Sequence, residues 1–251
     1  MSVSTSNKNN SQQEREDLHA MLLSSVSHDL KTPLACIIGS LDIYQQLKDT
    51  LSEERKDSLI SAAIKEARRL DSFITNILDM ARLESDIAFK HERIDIGQLV
   101  RQCVLKMNAV FNQHDVRLEL PSLVMVDVNE LWIARAVTLL LDNAALYTPV
   151  NTQILVTVTS DQLACWVAVR DFGPGIPKKI VPALFHKHSR TTQKDTKIAG
   201  TGLGLPICKA IAEMHGGSIR CEKPASGNGT VFTITLPVIQ KKQKHKEKSG
   251  N

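Results

Sequence analysis

The sequence predicts two architectures in series: an α-helical hairpin forming a dimeric four-helix bundle with a second copy, then an α/β module with helices over one face of a mixed sheet. Three observations carry that prediction. Apolar residues recur at helical spacing along two successive segments before residue 86. Beyond Ile94 the pattern changes to alternating strands and shorter helices, and glycine-rich turns punctuate the later half.

Residues 1–16 are polar and read as a disordered arm. Leu18, Leu22, Val26, Leu30, Leu34, Ile37, Leu41 and Tyr44 then form one helical stripe. Ile60, Ala63, Ile64, Ala67, Leu70, Ile74, Ile77, Leu78 and Ala81 form a second. Between them, in "KDTLSEER", Ser52 reads as an N-cap, and Glu53 and Glu54 favour the first turn through the helix dipole. Two long antiparallel helices joined by a short turn result. A lone hairpin cannot shield both stripes from water, so residues 17–86 are expected to make the protein a homodimer.

The hairpin is expected to end near "LESDIAFKHER", where helical periodicity stops and charge rises. The second module, residues 87–239, reads in order as the helix "IGQLVRQCVLKMNAVF", strands near "VRLEL" and "LVMVDV", and a helix from Asn129 to Leu146. Strands "QILVTVTS" and "LACWVAVRD", a glycine-rich region, a helix from Leu205 to His215, and strands "GSIRCE" and "TVFTITLP" follow. Residues 240–251 form a solvated basic tail.

Bulk properties narrow the function classes. The net charge of +4 is accounted for by the tail "KKQKHKEKSGN", with five lysines against one glutamate, so nucleic acid is not an expected partner. Five cysteines, odd in number and without a CxxC pair, suggest neither a zinc site nor a disulfide framework and fit a reducing cytoplasm. The most apolar stretch, "LWIARAVTLLL", is too short to span a bilayer and contains Arg135. Any membrane signal is therefore expected to arrive through a separate sensor.

In "SSVSHDLKTPLA", His28 lies on the face of an ideal helix roughly 200° from the first apolar stripe, displayed to solvent. Asp29 is placed to fix its tautomer and accept its proton, and Thr32 puts a hydroxyl on the same face. Pro33 frees the carbonyl of Asp29 and invites a bend that would present the histidine differently to different partners. A neutral imidazole so assisted is a competent nucleophile toward a phosphoryl group.

The phosphoryl donor is sought in the glycine-rich half. "DFGPGIP", residues 171–177, follows a strand, and "GTGLGLPICKAIAEMHGG", from Gly200, runs into a helix whose free N–H groups suit phosphates. The polar segment between them carries Lys178, Lys179, Lys187, Arg190, Lys194 and Lys197, cations able to close over a triphosphate. In "LLLDNAALYTP", Asn143 sits among leucines, where a structural hydrogen bond competes with a role as an oxygen ligand for Mg²⁺.

Together these motifs resemble the sensor histidine kinases of two-component systems. "SHDLKTPLA" resembles their phosphoacceptor box, "LLLDNAALYTP" the asparagine box, "DFGPGIP" and "GTGLGLPI" the two glycine boxes, and "LFHKHSR" the phenylalanine box. The resemblance runs over residues 17–237 and is strongest to the kinase core of the KdpD potassium-sensor group. It implies an ATPase sandwich of the Bergerat type over residues 87–239, ATP and Mg²⁺ as cofactors, and a response regulator as partner. By the same resemblance His28 is the phosphorylated residue, Asp29 its acid–base partner, and Thr32 orients water during dephosphorylation of the regulator. Asp171 accepts from the adenine amino group, with Gly173 and Gly175 shaping that wall. Asn143 binds the metal, Tyr147 lines the nucleotide site, and Arg190 approaches the terminal phosphates. Gly200, Thr201, Gly202, Leu203 and Gly204 cradle the phosphate chain.

The sequence departs from that family at Leu139, where asparagine is usual, at Leu146, where lysine is usual, and at His188, which replaces a phenylalanine. Losing a metal-proximal amide and a phosphate-proximal cation weakens nucleotide binding by about 1–3 kcal/mol each. A catalytically weak dimeric scaffold for phosphotransfer or phosphatase action is therefore the alternative to a full kinase. A third reading, another ATPase of the same nucleotide fold, is disfavoured by the displayed histidine hairpin.

Overall fold

The computed structural model describes residues 27, 29–85, 90–107, 111, 113–186 and 202–238. These fold as two compact units divided between Leu78 and Asp79.

The first unit holds two helices, α1 over residues 29–47 and most of α2, Glu53–Leu83. The helix α1 continues through Pro33, which is buried. It ends where the amides of Thr50 and Leu51 both return to the carbonyl of Leu47. Ser52 then starts α2, its Oγ accepting from the amide of Arg55 at 3.4 Å, the interaction an N-cap supplies to an otherwise orphaned donor. Ala63 and Phe73 are buried in this hairpin, but Leu34, Ile38, Leu41, Ile60, Ile64, Ile74 and Leu78 remain exposed. The last residues of α2 count with the second unit, where Asp79 accepts from Arg135 Nε at 2.7 Å.

The second unit is built on a five-stranded sheet of order β2-β4-β5-β7-β6, comprising β2 Asp115–Glu119, β4 Gln153–Ser160, β5 Ala164–Arg170, β6 Ser218–Glu222 and β7 Val231–Pro237. Among the described residues only the β2–β4 ladder of this sheet is parallel, so the sheet is mixed as expected. Strand alternation sends Ile154, Val156 and Val158, Val167 and Val169, and Phe232, Ile234 and Leu236 inward, each at 3% exposure or less. Helices α3 Ile96–Lys106, α4 Glu130–Tyr147 and α5 Gly204–Met214 supply Val100, Ile133, Leu140, Ile207 and Ile211 to that core. Full burial of such side chains stabilises by about 1.5–3 kcal/mol each.

Sequence reading and structure differ at two places in this unit. A short strand β1, Glu92–Asp95, pairs antiparallel with β3, Met125–Val128, in a separate two-stranded sheet that the pattern did not reveal. Its sequence "ERID" is charged and only half-buried, so no alternation marks it. Helix α3 also stops at Lys106 rather than running to Phe111, and the amide of Met107 closes the last turn on Cys103 and Val104. Asp95 and Asn129 cap α3 and α4 by accepting from the amides of Gly97 and Trp132. Helix α5 ends in a Schellman motif: Gly216 takes φ +69°, its amide returns to Glu213, and that of Gly217 returns to Ala212.

Candidate functional site

The last turns of α4 connect two backbone features contributed by distant parts of the chain. At one side lies the turn after β5. Asp171 is 4% exposed, and its Oδ1 accepts from the amide of Gly173 at 2.9 Å and from that of Thr230 at 3.1 Å. Thr230 reinforces this with its side chain, and its carbonyl accepts from the amide of Asp171 at 2.9 Å. Burial raises the Asp171 pKa above the ordinary carboxylate value, with those hydrogen bonds opposing the rise.

Glycine is required here by contact. A methyl on Gly173 would lie 2.5 Å from the carbonyl of Tyr147, and one on Gly229 would overlap the carbonyl of Asp171. Gly175, at φ +80°, packs its Cα face onto the carbonyl of Gly229. Arg170, the last residue of β5, fixes the 225–229 turn by donating to the carbonyl of Ser226 at 2.6 Å, and stacks 4.4 Å above the Phe172 ring. Around one buried carboxylate the backbone is thus packed so closely that side chains at Gly173 and Gly229 would clash.

At the other side α5 begins. Gly202, at φ +69°, and the buried Leu203 lead into Gly204, whose added methyl would sit 3.7 Å from Leu139 Cδ2. The first N–H groups of α5 have no intrahelical partner and carry the positive end of the helix dipole. Asn143 is half-buried, one turn beyond Leu139 and one turn before Tyr147. Burial raises the pKa of the Tyr147 phenol, whose residue keeps 38% exposure.

The second unit therefore sets Gly173, beside Asp171, against Tyr147, and Gly204 against Leu139, with Asn143 between those two positions on α4; Gly175, Gly202 and Leu203 adjoin them in the chain. In the first unit Asp29 is half-buried and Thr32 exposed on α1. His28, His188, Arg190, Gly200 and Thr201 lie outside the described residues. Sequence reasoning missed Thr230 and Gly229. The signal was available in "SGNGT", a further glycine cluster immediately before a strand. Among the described residues no group of His, Cys, Asp and Glu side chains forms a metal cage. A hard divalent cation shared with a phosphate chain does not need one, since it takes oxygen donors and retains water, and the Asn143 amide oxygen has that chemistry. No described helix is long and apolar enough to cross a membrane.

A mixed sheet, a buried carboxylate set among glycines and a glycine-led helix start thus meet along α4 in the second unit. Residues 128–240 match the family model described as the histidine kinase-, DNA gyrase B-, and HSP90-like ATPase, and residues 19–86 match the His Kinase A (phospho-acceptor) domain. The chain belongs to the sensor histidine kinases. It is 32% identical to sensor protein KdpD of Clostridium acetobutylicum over 228 residues, covering 89% of this chain and 25% of that protein. The same identity holds to sensor protein KdpD of Escherichia coli K12 over 230 residues, again with 89% and 25% coverage. The chain thus spans about a quarter of the length of these relatives. Histidine kinase ThkA, solved in complex with the response regulator TrrA, matches at a TM-score of 0.71 over 95% of this chain and 67% of that one, and its 22% identity speaks for the fold alone.

Proposed function

We propose that the chain is an ATP-dependent protein-histidine kinase of a two-component system. It transfers the γ-phosphoryl group of ATP to His28 and then to an aspartate of a response regulator. The observation that carries this reading is the Asp171 cradle joined through α4 to the start of α5, in a chain that also holds a phosphoacceptor domain. On this reading residues 17–86 form the dimerisation and phosphotransfer domain and residues 87–239 the catalytic domain. The apolar side chains exposed on α1 and α2 meet those of a second copy.

Each residue has a part set by its chemistry. Asp171, ionised, accepts from the adenine amino group, while Gly173 and Gly175 let the ring reach it. Tyr147 covers the sugar end of the pocket. Amides from Gly202 to Gly204 hold the phosphate chain at the start of α5, and Arg190 neutralises its terminal charge. Mg²⁺, when bound, would neutralise phosphate charge, and Asn143 is the residue that would hold it. Asp29 takes the proton from His28 as its other nitrogen attacks phosphorus, and the bond from the γ-phosphorus to the bridging oxygen breaks. Thr32 orients the water that hydrolyses the phosphoryl group when the regulator is dephosphorylated.

Labelled Mg·ATP incubated with the purified protein is expected to leave an acid-labile, alkali-stable phosphate, absent from His28→Gln. Equal labelling of the variant would refute the assignment. One observation favours a second reading, a slow enzyme or scaffold: Leu139 is 8% exposed and lies against Gly204, putting an apolar side chain at the edge of the phosphate cradle.

A further inference from the structure

Helices α4 and α5 run antiparallel and are held in register at three points. At the site end, Leu139 lies against Gly204. Midway, the buried Cys208 thiol donates to the carbonyl of Ala136 at 3.5 Å. At the far end, His215 Nε2 accepts from the amide of Asn129 at 3.0 Å, and its Nδ1 lies 2.7 Å from the carbonyl of Ile211. One nitrogen accepts and the other donates, which requires a neutral ring with its proton on Nδ1.

This ring sits where three elements converge. His215 is 5% exposed and stacks on His91, with centroids 5.1 Å apart and an interplanar angle of 17°. Asn129 caps α4 through its Oδ1, and its Nδ2 donates to the carbonyl of Lys90 at 3.0 Å. The same asparagine thereby ties the approach to β1, the start of α4 and the end of α5.

We infer that His215 is a positioning residue for the nucleotide site, a neutral imidazole clamp whose protonation frees α4 from α5 and weakens nucleotide binding. A second proton on Nε2 would face the Asn129 N–H donor to donor, removing the acceptor and displacing the cap. Asn143 and Tyr147 stand on one of the two helices so released, and Gly204 opens the other. The clamp acts on nucleotide affinity through their spacing, so this inference rests on the nucleotide-binding reading above.

Charged groups on the converging elements are largely paired: Lys90 with Glu92 at 2.7 Å, Lys209 with Glu213 at 3.8 Å, and Arg220 with Glu222 at 3.1 Å. Asp127 of β3 and Glu130 of α4 flank the cap in sequence, and the charge that acts on the ring is that of His91. Burial lowers the His215 pKa, the hydrogen bond to the Ile211 carbonyl opposes the shift, and the charge of His91 lowers it further. The unfolded chain therefore takes up this proton before the folded one. The clamp is intact above about pH 6.5 and is lost as pH falls from there through the lower folded value.

The test titrates a fluorescent ATP analogue into the full chain between pH 8 and pH 5, for the wild type, His215→Gln and His215→Ala. It also follows the exchange protection factor of the Asn129 amide. Glutamine offers a neutral acceptor in place of Nε2. The wild type is expected to lose affinity as pH falls through the lowered folded value of His215, approaching tenfold per pH unit below it. His215→Gln should bind as the wild type does at pH 8 and lack that step, while His215→Ala binds weakly throughout. A shallower acid-side slope equal in all three proteins belongs to Asp171, which they share. Asn129 protection should fall over the same window in the wild type and persist in the glutamine variant. A wild-type step retained in His215→Gln, or Asn129 protection constant with pH in the wild type, overturns the clamp. Should His215→Ala not fold, the glutamine comparison decides alone. Absence of nucleotide binding by the wild type at every pH overturns the kinase reading instead, and Asn129 protection still judges the clamp.

Discussion

The Asp171 carboxylate organises its own pocket while serving as the proposed adenine acceptor. Replacing it with asparagine keeps an oxygen for the amides of Gly173 and Thr230 but presents N–H donors where the nucleotide also donates. Asp171→Asn should therefore weaken ATP-analogue binding roughly tenfold to a hundredfold by calorimetry, about 1–3 kcal/mol, with little change in the melting temperature. An unchanged affinity would exclude the acceptor role. Because burial raises its pKa, wild-type affinity should also fall when acid reaches that raised value, a step the asparagine variant lacks. The sign for folding is the opposite of that for His215. The folded carboxyl holds its proton to higher pH than the unfolded one, so its contribution to stability declines as pH rises between the two values. At this scale the sequence was informative where chemistry is local. Asp171 and its glycines stood in one short motif. Its partner Thr230 is 59 residues away, and His215, placed by the sequence only at the end of a helix, meets Asn129 across 86 residues. Pairings of that range are decided by the sheet and the helix packing, which no local pattern encodes.

Periodicity, by contrast, located the elements well. Helix α4 runs from Glu130 to Tyr147, within a residue at each end of the helix read from Asn129 to Leu146, and β4, β5, β6 and β7 fall within a residue or two of the strands read from the sequence. The pattern failed for β1, whose four residues bury too little to alternate, and overran α3, whose apolar spacing outlasts its hydrogen bonds. Exposure along the hairpin now gives the dimer expectation a measurable form. Ile38 and Leu41 are 51% and 48% exposed on α1, and Ile64 and Leu78 are 47% and 52% exposed on α2. A face so apolar costs free energy in water unless covered, at about 25 cal/mol per Å². Ile38→Glu combined with Leu41→Glu should convert a dimer into a monomer by sedimentation while the second unit retains nucleotide binding. A variant that still sediments as a dimer would show that these residues do not form the interface.

For the molecule as a whole, the open question is how much rate the departures at Leu139 and Leu146 cost. Leu139 fills space beside Gly204, whereas Leu146 is 46% exposed and fills none, so the two are structurally independent changes. Leu139→Asn with Leu146→Lys is expected to raise autophosphorylation of the full chain tenfold or more if they limit the wild type. No increase would mean that phosphate handling is already complete without them. A different constraint on the whole chain lies at the margins of the large sheet. Both outermost strands, β2 and β6, carry oppositely charged neighbours two residues apart, Asp115 with Arg117 and Arg220 with Glu222. Side chains of that kind discourage a foreign strand from extending the ladder. Self-association is thereby steered away from open-ended stacking of sheets and toward the helical hairpin, where a twofold pairing closes on itself and growth stops at two.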